Sequence, residues 1–435
     1  MAAETHKATT MPAAQSIAAH RTVQQQNVVQ PGTSTPSTAL LPESLTALAP
    51  SASSLVTHIE TRTDLSLLFR LVRVLIRPLR PKLVSFSTTW PAGSPQIPEC
   101  PSSYYGVKIS ERRIQLATTS NVPLTQHKEE DGSKDEMQNL WLYDFEAPGH
   151  TSVTWKRKTK TVYYFAGGGF QDTPSGEHWK LCARMAKDLS GDDVKIVIVS
   201  YPLAPNSPAK DSLPWLRAWL RLELKRAADE GQSVERDEDI ILMGDSAGGN
   251  IVISLAFWWA EIMAGLKSEL HGHDAGTESG KVVELETLKR LKSVIVMSPP
   301  CDSRNINEEI KEADKMDPVL TMDVTNGAAD AWTMGWTTED GKDAKSDPVL
   351  SPNLQGPEAW AALRESGLTL HGLFGTADVL SPDCKVFMRR CERELIRGDW
   401  LIWEGQMHCF PLTVCYGLRE GREGFEWLKR RVRES

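Results

Sequence analysis

The stretch "ILMGDSAGGN", Ile241 to Asn250, ends an apolar run with a serine set among small residues. The run reads as a buried strand, and the "IVISLAFWWAEIM" that follows it (251–263) reads as a helix. Between them, Gly244-Asp245-Ser246-Ala247-Gly248 fits G-x-S-x-G, the pattern of a sharp strand-to-helix turn that lifts a serine hydroxyl above the edge of a sheet. Small neighbours are needed because the turn is tight and strained. The competing reading of the same residues is a plain turn whose serine caps the helix.

A serine hydroxyl is a weak nucleophile until a base takes its proton, and the base needs an acid to orient it. Both are sought at the ends of later strands. "GTADVLSPD" (375–383) follows the apolar "LTLHGLF" and sets Asp378 just past a strand, while "WEGQMHCFP" (403–411) follows "DWLI" and sets His408 past the next. Asp383 competes for the acid's role but lies a helical turn later, where it suits support of the loop. Of the other histidines, His6, His20 and His58 fall near the N-terminus, His127, His271 and His273 in polar stretches, and His150 and His178 before the serine. The chain order Ser246, Asp378, His408 is that of one known triad arrangement.

Negative charge on a tetrahedral intermediate needs hydrogen-bond donors, and backbone N–H groups are the usual source. "YYFAGGGF" (163–170) follows the first core strand, and Gly167, Gly168 and Gly169, with Ala247 after the serine, are the candidate oxyanion donors. No Gly-Lys-Ser or Gly-Lys-Thr follows the glycines, which argues against a phosphate-binding loop.

Outward from these motifs the pattern alternates. "TVYYF", "KIVIVS", "IILM", "SVIVM", "LTLHGLFG" and "DWLIW" read as strands. The segments around Trp179–Leu189, "DSLPWLRAWLRLELKRAADE" and "EGFEWLKRRVR" read as helices. Such alternation predicts an α/β fold with a mainly parallel sheet covered by helices on both faces. The predicted core runs from 140 to 435, with insertions near 267–286 and 303–346.

Residues 1–60 are rich in Ala, Ser, Thr, Gln and Pro, and are expected to form a disordered tail. "TDLSLLFRLVRVLIRPLRPKLV" (63–84) opens the 61–139 segment as a basic amphipathic helix, with Leu68, Leu71, Val72, Leu75 and Ile76 on one stripe and Arg70, Arg73, Arg77 and Arg80 on another. Asp64 is its predicted N-cap, and Pro78 should end or kink it. One reading packs the apolar stripe on the protein; the other lays residues 66–80 on a membrane surface.

A formal net charge of −8 over 435 residues speaks against a nucleic-acid partner. The seven scattered cysteines, with no C-x-x-C pair, speak against a disulfide framework or a zinc site. No basic n-region with an apolar h-region opens the chain, so an intracellular, cytoplasmic location is expected.

Taken together, these motifs resemble the hormone-sensitive-lipase-like family of α/β-hydrolases, from about residue 140 to the C-terminus. The family's H-G-G-G corresponds to Ala166-Gly167-Gly168-Gly169, its G-D-S-A-G-G to Gly244–Gly249, and its Y-R-L-A-P to Tyr201-Pro202-Leu203-Ala204-Pro205. Its late D-x-L and H-x-F elements correspond to Asp378-Val379-Leu380 and His408-Cys409-Phe410, and "SPPCD" and "DPVLSPN" resemble later segments. The resemblance implies an α/β-hydrolase fold with a helical cap contributed by the residues before 140, and a serine hydrolase that cleaves small-molecule carboxylic esters through an acyl-enzyme; short to medium acyl groups, acetyl first, are expected. No metal or organic cofactor is implied. A lactone or an activated amide would use the same groups, and a ligand-binding protein without turnover could occupy the same scaffold. Two residues depart from the family, Ala166 in place of a histidine that braces the glycine loop and Pro202 in place of a buried arginine.

Overall fold

The computed structural model describes residues 57–84, 99–117, 137–148, 158–234, 237–271, 278–338 and 341–435. All but the last four residues of the predicted tail lie outside these ranges. The strands are β1 (Thr57–Arg62), β2 (Ser103–Tyr104), β3 (Val107–Ala117), β4 (Met137–Glu146), β5 (Lys158–Phe165), β6 (Val194–Ser200), β7 (Asp237–Asp245), β8 (Leu291–Met297), β9 (Thr369–Gly375) and β10 (Gly398–Trp403). They form one sheet in the order β1-β10-β9-β8-β7-β5-β6-β4-β3-β2. From β1 to β6 every pairing is parallel, and β4, β3 and β2 extend the sheet in antiparallel fashion.

The helices are α1 (Leu67–Ile76), α2 (Arg80–Leu83), α3 (Gly176–Asp188), α4 (Ala209–Val234), α5 (Ser246–His271), α6 (Glu278–Leu288), α7 (Ile310–Met316), α8 (Met322–Thr333), α9 (Pro357–Ser366), α10 (Ser381–Arg393) and α11 (Arg419–Glu434). The central strands are apolar throughout because both faces are covered. Along β7, Ile240 and Leu242 join a core with Trp219, Trp259 and Trp360, whereas Ile241 and Met243 join a second core with Trp179, Phe425 and Leu428. Successive side chains point to opposite faces, so one strand feeds both cores. Among the described residues, Ser246–Leu270 has the length and apolar composition of a membrane span, but 67% of its most apolar stretch is buried in the protein. It is the core helix behind the candidate serine.

Two features differ from the sequence reading. The 61–139 segment, read as cap-forming, supplies β2, β3 and the first three residues of β4, which pair with the end of β3, and β1 begins inside the segment read as tail. Conversely the 303–346 insertion carries α7 and α8, and α8 with the residues just before it walls the candidate site described below.

Candidate active site

Because β5, β7, β9 and β10 run parallel, their C-terminal ends share one edge of the sheet. Phe165 pairs with Gly244, so the glycine loop leaves β5 directly beside the turn that ends β7. Ser246 occupies that turn with φ +48°, a left-handed conformation that is strained for a serine. The flanking glycines are dictated by close approach: a Cβ on Gly248 would stand 2.0 Å from the Phe165 carbonyl oxygen, and one on Gly244 would stand 2.4 Å from that of Gly248. G-x-S-x-G is therefore a steric requirement of this turn.

Asp378, three residues past β9, is fully buried, and its Oδ2 lies 2.9 Å from His408 Nδ1. The Leu380 N–H donates to its Oδ1 at 2.9 Å. Burial opposes charge on the His408 imidazole, yet the adjacent Asp378 carboxylate holds its pKa well above the ordinary histidine value. The Cys409 Sγ lies 3.4 Å from His408 Nε2, and burial pushes its thiol up to about 12, so it stays protonated. Ser246 and His408 line one cavity of about 270 Å³ together with Gly167, Gly168, Gly169 and Ala247. Its outer wall is apolar, built from Val84 after α2, Val319 and Leu320 between α7 and α8, Val324 and Ala328 of α8, and Leu380. Among the described residues, no lysine or arginine lines it.

The glycine loop is held without the histidine that Ala166 replaces. Asp245 reaches under it, accepting from the Gly167 N–H at 2.9 Å and the Tyr164 hydroxyl at 2.6 Å. Its Oδ2 lies 3.2 Å from His178 Nε2, and the Ser175 N–H donates to His178 Nδ1 at 2.9 Å, which assigns the proton to Nε2. Burial works against the Asp245 charge, but His178 and these donors keep its carboxyl below the ordinary range. The Tyr201 hydroxyl donates to the Ala166 carbonyl at 2.8 Å, and Phe170 stacks on Trp332 of α8 with centroids 4.4 Å apart. The Gly167 N–H is thus taken up by Asp245, which leaves Gly168, Gly169 and Ala247 as the candidate donors.

Sequence reasoning passed over two of these residues. His178 was set aside for preceding the serine, and the partner that gives it a role is 67 residues away. Asp317, just after α7, drew no notice. It is fully buried, and its Oδ1 accepts from Val319 N–H at 2.7 Å and Leu320 N–H at 3.0 Å. Its Oδ2 accepts from Val379 N–H at 2.8 Å, which ties the cavity wall to the residue after Asp378. Burial and the charge of Asp378 raise the Asp317 carboxyl to about 7. Asp383, the rejected rival acid, accepts from Asn307 Nδ2 at 3.1 Å and braces the loop. Among the described residues no group of three or more His, Cys, Asp or Glu is arranged to hold a metal ion.

A parallel sheet with a strained serine at the end of β7 and a His–Asp pair past the ends of β9 and β10 defines an α/β-hydrolase architecture. The family model described as alpha/beta hydrolase fold matches residues 162–412, more than half of the chain, and the protein belongs to that family. Solved structures agree in fold. Carboxyl esterase 2 from the mycorrhizal fungus Tuber melanosporum is 16% identical, covers 85% of this chain and 99% of its own, and superposes with a TM-score of 0.57. An esterase of the bacterial hormone-sensitive lipase family is 17% identical over 86% of this chain and 99% of its own, with a TM-score of 0.54. A hormone-sensitive lipase from a metagenome library is 17% identical over 85% and 98%, with the same score of 0.54. No curated protein is similar enough in sequence to match.

Proposed function

We propose that the protein hydrolyses uncharged carboxylic esters through an acyl-enzyme on Ser246. The observation that carries the reading is the 2.9 Å contact between His408 Nδ1 and Asp378 Oδ2 in a cavity that Ser246 also lines. Ser246 Oγ attacks the ester carbonyl while His408 Nε2 accepts its proton, and Asp378 holds the imidazole in the required tautomer and stabilises the imidazolium. The oxyanion is received by the N–H groups of Gly168, Gly169 and Ala247; Ala247 is in the first turn of α5, where N–H groups have no helical acceptor. As the intermediate collapses, His408 returns the proton to the leaving alcohol. Water then repeats the sequence on the acyl-enzyme and frees the acid.

The cavity supports the substrate class. At about 270 Å³ it falls just under the roughly 300 Å³ at which ligand pockets begin, and its wall, apolar and without lysine or arginine among the described residues, suits a short to medium neutral acyl group. The esterases named above share this fold. A fluorophosphonate probe should label Ser246 stoichiometrically, and p-nitrophenyl esters should be cleaved fastest from acetyl to medium chain lengths. Absence of labelling in the folded protein would contradict turnover at this serine and leave a binding scaffold. A peak of turnover on lactones or amides with little on esters would move the substrate class.

A further inference from the structure

α1 is fixed to the protein by one side and leaves the other unpartnered. Phe69 is fully buried, and Leu65, Val72 and Ile76 pack on the core containing Trp403 and Phe410. Ser66 caps the helix by accepting from the Phe69 N–H at 3.1 Å, and Arg73 donates to the Gly405 carbonyl at 3.1 Å. Arg77 donates to the Lys315 carbonyl, and Arg80 pairs with Asp314 and with the Leu320 carbonyl. A helix held at this many points is docked as it is meant to be. The apolar residues on its other side are therefore not a loosely packed core face.

Those residues form a row. Leu67, Leu71, Leu75, Leu79 and Leu83 recur at every fourth position through α1 and α2, and each is between 44% and 83% exposed. Leu68 and Val74 widen the row. Contiguous exposed apolar surface of this kind marks an interaction face. Its charge is one-sided: residues 65–98 contain Arg70, Arg73, Arg77, Arg80 and Lys82 and no acid, in a chain of net charge −8. Arg70, Arg77 and Lys82 are exposed beside the leucines. The protein's own N-terminal 56 residues carry two acids and two bases, Glu4, Glu43, Lys7 and Arg21, and so offer no complementary charge. A leucine row flanked by cations matches the acyl and headgroup layers of an anionic bilayer.

We propose that the exposed side of α1 and α2, from Leu67 to Leu83, docks on anionic lipid surfaces. Val84, the next residue, lines the active-site cavity, so docking here sets the cavity rim beside the lipid. Docking does not depend on what Ser246 does.

The test is flotation of the full-length protein with vesicles of phosphatidylcholine alone and of phosphatidylcholine with 30% phosphatidylserine, at low and high salt. Binding is expected on the anionic vesicles only and should weaken in high salt. Arg70→Gln with Lys82→Gln should lower the partition coefficient about 25-fold, at about fivefold per cation. Leu71→Glu with Leu75→Glu should abolish flotation while leaving melting temperature and p-nitrophenyl acetate turnover unchanged, because both side chains face solvent. Equal binding to neutral vesicles, or none to either, would overturn the proposal. So would a concentration-dependent dimer in lipid-free buffer that the same leucine substitutions dissolve, since the row would then pair two copies.

Discussion

At the scale of single residues, Asp317 joins parts of the site that the triad alone leaves separate. Its carboxylate holds the backbone of Val319 and Leu320 in the cavity wall and of Val379 beside the triad acid. It also adds negative charge near His408, which must be neutral to act as base. Under the proposed mechanism, activity should therefore be lost as pH falls through the His408 pKa, which already lies above the ordinary value. Removing the Asp317 charge destabilises the imidazolium, so Asp317→Asn should shift the acid limb of the kcat/KM profile to lower pH; an unmoved limb would reduce Asp317 to a structural brace. Ala166 calls for a second test. The loop behind it is held by Asp245, Tyr201 and packing, so Ala166→His should overpack a buried site at a cost of about 1–3 kcal/mol. A rise in kcat approaching the roughly 10²-fold worth of an oxyanion donor would mean instead that the natural loop is poorly held. The strand-end placement of Ser246, Asp378 and His408 was legible in the sequence because each sits in a short motif. His178 and Asp317 were not, because their partners, Asp245 and Val379, are distant in the chain and no local spacing announces them.

At the scale of elements, the apolar strands β5 to β10 were legible because burial on both faces leaves an unbroken apolar run. β3 was not. Its "VKISERRIQLA" interleaves charged residues with Val107, Ile109 and Leu116, as an antiparallel strand near a sheet edge permits. α1 forms as expected, but only part of its expected stripe is buried: Val72 and Ile76 pack on the core, Leu68, Leu71 and Leu75 are exposed, and Phe69, absent from that stripe, is fully buried. With leucines and arginines all around the helix, periodicity alone does not choose the buried face. The assignment is measurable. Phe69→Ala should lower unfolding free energy by about 3–5 kcal/mol, as for a large aromatic leaving a cavity, whereas Leu71→Ala should stay within about 0.5 kcal/mol. Similar losses in denaturant titrations of both variants would contradict this orientation.

At the scale of the whole molecule, one sheet edge gathers residues from 167 to 408 because the parallel strands that carry them all end there, and the chain between them is free to build the walls. The two segments that supply those walls, Val84 after α2 and the stretch from Val319 through α8, lie 235 or more positions apart in sequence and are tied together through Arg80, Asp314 and Leu320. Deleting residues 1–55 removes a stretch with no sustained apolar period, and should leave melting temperature within a few degrees and turnover unchanged. The central claim is that Ser246, His408 and Asp378 act as one catalytic unit. It is tested most directly by comparing kcat/KM on p-nitrophenyl acetate for the unmodified protein, Ser246→Ala, His408→Ala and the double variant, with folding checked by circular dichroism. Each single substitution is expected to cost on the order of 10⁴-fold or more, and the double variant little beyond either, because the groups work together. A folded single variant that kept more than about a tenth of the original rate, or a double variant whose loss were the product of the two, would contradict the triad.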